Sequence, residues 1–145
     1  MDAIKQYMIP KWWLTGVGTI FTIFMLLTYT GVMNAAETGW GADNYDDRDV
    51  FYEKAWGATF LLVAIITLVS GQFVEGRAQA ILAMTIGAGN ILVFILTFLA
   101  ASDLDNVPGP NGISYGYTSD PANWAPPMIM ATGLLVSGFL HLEEE

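Results

Sequence analysis

The chain has 145 residues, 54% of them hydrophobic and 13% charged, with a net charge of −9 and no cysteine. Soluble domains carry about 25% charged residues, so this composition points to a membrane protein. The missing cysteines exclude disulfides, thiolate chemistry and cysteine-ligated iron–sulfur clusters, and five basic residues give no surface for nucleic acid.

A bilayer core about 30 Å thick takes roughly 20 apolar residues in a helix. Four segments approach or exceed that length: 12–36, 55–74, 78–101 and 124–142. Together they use most of the chain and leave no room for a soluble domain. The expected fold class is all-α: one integral-membrane four-helix bundle over residues 1–145, with two ordered loops on the non-cytoplasmic side.

Residues 1–11, "MDAIKQYMIPK", alternate polar and apolar positions up to Pro10, which suits a short interfacial segment on the cytoplasmic surface. Trp12 and Trp13 then mark the membrane interface. The apolar run that follows exceeds the 7 to 15 residues of a signal-peptide core and is expected to be a retained span. It carries Thr15, Thr19 and Thr22 with Gly16 and Gly18 beside them, and Gly16 is a candidate for close helix packing.

The stretch "ADNYDDRDVFYEKAW" (42–56) concentrates charge in an otherwise apolar chain. Asp46 suits an N-cap, and Asp47, Asp49 and Glu53 fall in the first two turns, where the helix dipole favours acids. The second helix is therefore expected to start in water and enter the bilayer near Trp56. Asp46, Asp49 and Glu53 share one helix face. With Asp103, Asp105 and Asn106 of the other outer loop they make a candidate calcium site, the alternatives being a solvated collar or a contact with a partner protein. An EF-hand is excluded, because counting from Asp43 puts Arg48 where its glycine belongs and Lys54 where its last glutamate belongs.

The short link "GQFVEGR" makes spans two and three an expected antiparallel hairpin, with Glu75 and Arg77 at the surface. In "AMTIGAGN", Ala83 and Gly87 form a small-xxx-small pair, and Asn90 is expected to face another helix rather than lipid. The stretch from Ser102 to Pro127 is rich in turn-forming residues, and Tyr115, Tyr117 and Trp124 suit a docked loop. The fourth span starts at "WAPP", with proline in its first turn, and presents Gly133 and Ser137 as a packing face.

His141 is the only histidine. It suits the C-terminal end of a helix dipole, and it is also the one candidate ligand for a haem or magnesium-bearing pigment. No span holds Asp, Glu, Lys, Arg or His in its central part, which weighs against a pump or coupled transporter. No HExxH or phosphate loop is present, so catalysis is not expected. Lys5, Lys11 and Arg77 on one side outnumber Arg48 and Lys54 on the other, which places both termini in the cytoplasm by the positive-inside rule, in a plasma or inner membrane.

This layout, four helices with a tight link between the second and third, resembles DoxX-like small membrane proteins and the small four-helix subunits of some tripartite transporters. That resemblance implies a redox- or transport-associated subunit. The residues themselves favour a non-catalytic accessory subunit that packs against larger integral-membrane subunits and membrane lipids. The alternative is a protein that binds a lipid, quinone or pigment near Asn90 or His141.

Overall fold

The computed structural model of the chain describes residues 2–34, 37, 46–105 and 121–143. These form a short α1 (Asp2–Lys5) and four long helices, α2 (Pro10–Tyr29), α3 (Asp47–Phe73), α4 (Gly76–Asp105) and α5 (Pro121–Leu140). The described residues contain no strand. Helices α2, α3 and α4 are long and apolar enough to cross a membrane; the apolar stretch of α5, Trp124–Leu140, is shorter. Most of the two long connections, where ordered outer loops were expected, lies outside the described residues.

Helix α2 begins with Pro10 at its first position, where a missing N–H costs nothing and φ is already helical. It ends at Tyr29, well short of the expected residue 36. Gly31 stands at φ 76°, the Gly31 N–H donates to the Thr28 carbonyl at 3.0 Å, and the Val32 N–H donates to the Leu27 carbonyl at 3.0 Å. This is a Schellman stop, which a glycine after Thr30 allows because only glycine takes the left-handed conformation without penalty.

Helix α3 starts in the acidic stretch, as expected, with Asp46 as N-cap. Only Val74 and Glu75 separate it from α4. Helix α5 starts one turn earlier than expected, at Pro121, so Pro126 and Pro127 lie inside it rather than in its first turn. Each lacks the N–H that would close a helical bond there.

The expected hairpin of spans two and three is not the packing unit. Helix α2 packs mainly on α3, and α4 on α5, while α3 and α4 touch little despite their short link. Small residues decide this. A Cβ at Gly71 would stand 2.7 Å from the Thr15 backbone nitrogen of α2, and one at Gly18 would meet the backbone of Leu68. On the other pair, a Cβ at Gly87 would stand 2.5 Å from the Leu135 nitrogen, and one at Gly138 would meet the Ala80 carbonyl. The small faces of α3 and α4 thus point at different neighbours, and backbones approach where side chains are absent. The two pairs meet in a core of Leu14, Val17, Ala83 and Leu134, with Trp13, Phe21, Ile86 and Met130 against it. Trp13 lays its ring on Gly133, while Trp12 stays exposed.

Candidate functional site

At the end of the bundle where α2 begins and α3 and α5 finish, three polar side chains tie separate segments. The last carbonyls of a helix have no partner within it. Gln79, buried one turn into α4, reaches back and donates from Nε2 to the Val74 carbonyl at 2.6 Å, the Gly71 carbonyl at 3.3 Å and the Ser70 carbonyl at 3.4 Å. Gln72 donates to the Thr15 Oγ1 at 2.8 Å, joining α3 to α2. His141, partly buried just past α5, places Nε2 3.2 Å from the Lys5 carbonyl. A carbonyl only accepts, so the ring donates there. The sequence reading passed over both glutamines. Their signal was a long amide within a turn of the link between two apolar runs, where helix-end carbonyls need donors.

At the opposite end the acidic stripe resolves into a cap. The Asp46 carboxylate accepts from the Arg48 N–H at 2.8 Å and the Asp49 N–H at 3.1 Å, and the Asp49 carboxylate accepts from the Asp46 N–H at 3.0 Å. Each acid satisfies an orphan donor of the other's backbone, a capping box with aspartate in the place of the usual glutamate. Glu53 is partly buried on the next turns and Asp103 is exposed. Asp105 closes α4, with its side chain outside the described residues, as is all of Asn106. Among the described residues no three of His, Cys, Asp and Glu come together as a metal site, so the proposed calcium constellation is not assembled by them.

Midway along the bundle a void of about 20 Å³ is lined by residues of α2, α3 and α4, including Gly18, Phe21, Phe60, Thr67 and Asn90. Asn90 faces this junction, yet its Nδ2 donates to the Ile86 carbonyl of its own helix at 2.8 Å. Asn90 thus faces other helices, as expected, but its amide is bonded within its own helix and makes no interhelical hydrogen bond among the described residues. Of the expected packing residues, Ala83, Gly87, Gly133 and Ser137 lie in contacts between helices or in the core, Ser137 fully buried with its hydroxyl on the Leu134 carbonyl at 2.8 Å. Gly16 does not join them: it is exposed, with nothing within 4 Å of a Cβ built on it. Gly18, two residues and about 200° further round the helix, is the one against α3.

Three hydroxyls within the spans behave as Asn90 does. Thr22, Thr59 and Thr67 each donate to the carbonyl four residues earlier, at 2.7, 2.9 and 2.8 Å. An open groove of about 290 Å³ runs along α5 past Trp124, Met128 and Thr132. The Trp124 ring meets Phe98 edge-on at 6.2 Å, and its buried Nε1 has no acceptor among the described residues. No family model, curated protein or solved structure matches the chain, so its likeness of plan to DoxX-like proteins gains no support there.

Proposed function

We propose that this chain is a non-catalytic accessory subunit, a four-span membrane protein that stabilises or positions larger integral-membrane subunits. The observation that carries the reading is the exposure of α4. Only 11% of its most apolar window is buried, against 28% for α2 and for α3, and residues 95–100 are exposed without interruption around the helix. Apart from the edge contact of Phe98 with Trp124, this stretch of the helix has no packed face of its own. A partner helix supplies one by van der Waals packing, the main force between helices in lipid. The satisfied hydroxyls and Asn90 support the non-catalytic part.

In this reading α5 also spans, because His141 and Lys5 bring its end level with the start of α2. Lys5, Lys11 and Arg77 gather at that end, which makes it the cytoplasmic side of a plasma or inner membrane. Purification in mild detergent tests the reading: the chain is expected to bring down a stoichiometric larger membrane subunit. Recovery as a monomer or homo-oligomer alone would sink it.

A second reading, binding of a lipid or quinone, is favoured by the open groove beside Trp124, whose volume of about 290 Å³ is just below the range of small-molecule sites. The void at Asn90 is far smaller, about 20 Å³, room for one water. A stoichiometric lipid or a quinone absorption band in the purified chain, lost in Met128→Trp, would carry this reading.

A further inference from the structure

We infer that residues 4–12 form a strap lying in the lipid headgroup region, and that His141 is the positioning residue that holds it against the end of the bundle. Helix α2 is of membrane length and starts at Pro10, so Pro10 stands at the bilayer boundary. The few residues before it are too short a chain to leave that boundary by far. The Tyr7 and Met8 N–H groups both donate to the Ile4 carbonyl, at 3.0 and 3.1 Å, so the chain continues from α1 in a helical turn, which shortens its reach further.

The strap has two faces. Pro10 is buried and Met8 and Ile9 are partly buried against the protein, whereas Ile4, Tyr7 and Trp12 are 62%, 76% and 66% exposed. Large aromatic and apolar side chains turned outward beside a membrane-length helix fit the boundary of headgroups and acyl chains, where a Tyr or Trp ring has its apolar body in lipid and its polar tip in water. Phe73, 80% exposed at the same end of α3, extends this surface. Lys5 and Lys11 have stems long enough to reach phosphate from within it. The occupant is therefore the phospholipid interface, and not a protein groove.

What fixes the strap's level is a contact across 136 positions of sequence, the His141 ring on the Lys5 carbonyl. That carbonyl already accepts from the Met8 N–H at 3.2 Å, so the imidazole adds a second donor from α5 to the last turn of the strap. The imidazole bond thus adds a tie from the end of α5 to a segment that also rests on the bundle through Met8, Ile9 and Pro10.

The test uses the full chain in phosphatidylcholine nanodiscs. Trypsin cleavage after Lys5 is expected to run about fivefold faster in His141→Phe than in the parent, with cleavage after Arg77 unchanged, and to return toward the parent rate in His141→Gln, whose amide still donates. Equal cleavage after Lys5 in all three chains overturns the positioning role. So does a matching rise after Arg77, which would mean that the bundle as a whole had loosened. The chain has no cysteine, so a nitroxide on Tyr7→Cys reports depth by its relative accessibility to oxygen and to a water-soluble nickel chelate. Oxygen is expected to be favoured in the parent background and less so with His141→Phe. A fully aqueous label in the parent background overturns the lipid assignment.

Discussion

Gly87 and Gly89 sit two positions apart on one helix, and the same substitution at each is expected to act with opposite sign. A Cβ at Gly87 would stand 2.5 Å from the Leu135 nitrogen and 2.7 Å from the Ala131 carbonyl. Both obstacles are backbone, so no side chain can rotate away, and α4 and α5 must part to admit the methyl group. The contact they would loosen includes Ala83, Ala131 and Leu134, all of them buried. Overpacking of this kind costs about 1 to 3 kcal/mol, and the gain of alanine over glycine in helix propensity returns up to about 1 kcal/mol. At Gly89 nothing lies within 4 Å, so only the propensity gain operates. Since that gain is common to both, the difference between Gly87→Ala and Gly89→Ala isolates the packing cost, at about 1 to 3 kcal/mol. Reversible unfolding of the purified chain in mixed micelles with increasing dodecyl sulfate, followed by far-ultraviolet circular dichroism, measures it. Equal shifts for the two variants would refute the assignment of Gly87 to the α4–α5 contact.

Replacing Gln79 with leucine keeps the volume but leaves the end of α3 without its donor, and a cost of about 1 to 3 kcal/mol is expected in the same unfolding assay; a neutral result would show that other groups satisfy those carbonyls. Asp46→Ala is expected to cost about 1 kcal/mol and to speed amide exchange in the first turn of α3, while Asp46→Asn, which still accepts, costs a few tenths; equal effects of the two would argue that charge and not the cap is the function of this residue. Millimolar calcium is expected to leave the melting temperature unchanged, and an upward shift abolished by Asp46→Asn with Asp49→Asn would overturn the reading of these acids as a cap. Asn90→Leu is expected to be neutral or slightly stabilising, since it exchanges an amide bonded within its own helix for apolar surface beside the void. A loss above about 1 kcal/mol would reveal an interhelical or water-borne hydrogen bond instead.

The helices were legible because length and hydropathy fix them, and the start of α3 because an acid at an N-cap has a chemical reason to be there. The stop of α2 was equally written in the chain, in Thr30 followed by Gly31, but a glycine at the end of an apolar run reads as a packing residue until its φ is known. Gly16 and Gly18 show the more general limit. Periodicity says that they lie on opposite sides of α2, and it cannot say which side has a neighbour, because the neighbour is chosen by residues fifty positions away. The two glutamines were missed for a related reason. An amide near a link is ordinary surface chemistry unless packing brings it an acceptor, the helix-end carbonyls for Gln79 and the Thr15 hydroxyl of α2 for Gln72, and that is a property of the packed bundle. The acids of the candidate calcium site were brought under suspicion by proximity in sequence, whereas Asp46 and Asp49 turn out to be spent on each other's backbone.

The pairing of helices bears directly on the proposed role. A two-residue link forces α3 and α4 together at one end, and Gln79 seals that end by donating to the Val74 carbonyl of the link and to the Gly71 and Ser70 carbonyls of α3. Beyond the seal, each helix follows its own small residues: Gly71 holds α3 to Thr15 of α2, and Gly87 holds α4 to Leu135 of α5. With no small residue shared between them, α3 and α4 have little reason to stay in contact. The void at Thr67 and Asn90 lies where α3 and α4 still both border α2. Past it, residues 95–100 of α4 are exposed on every side. Divergence of two linked helices is costly in water because apolar surface is left open, but in a bilayer lipid covers that surface at almost no cost, so the sequence is free to leave it for a neighbour. The proposed role uses this freedom: the closest approaches between helices are made at Gly18, Gly71, Gly87 and Gly138, and the exposed apolar side chains within residues 95–100 of α4 are left for another protein.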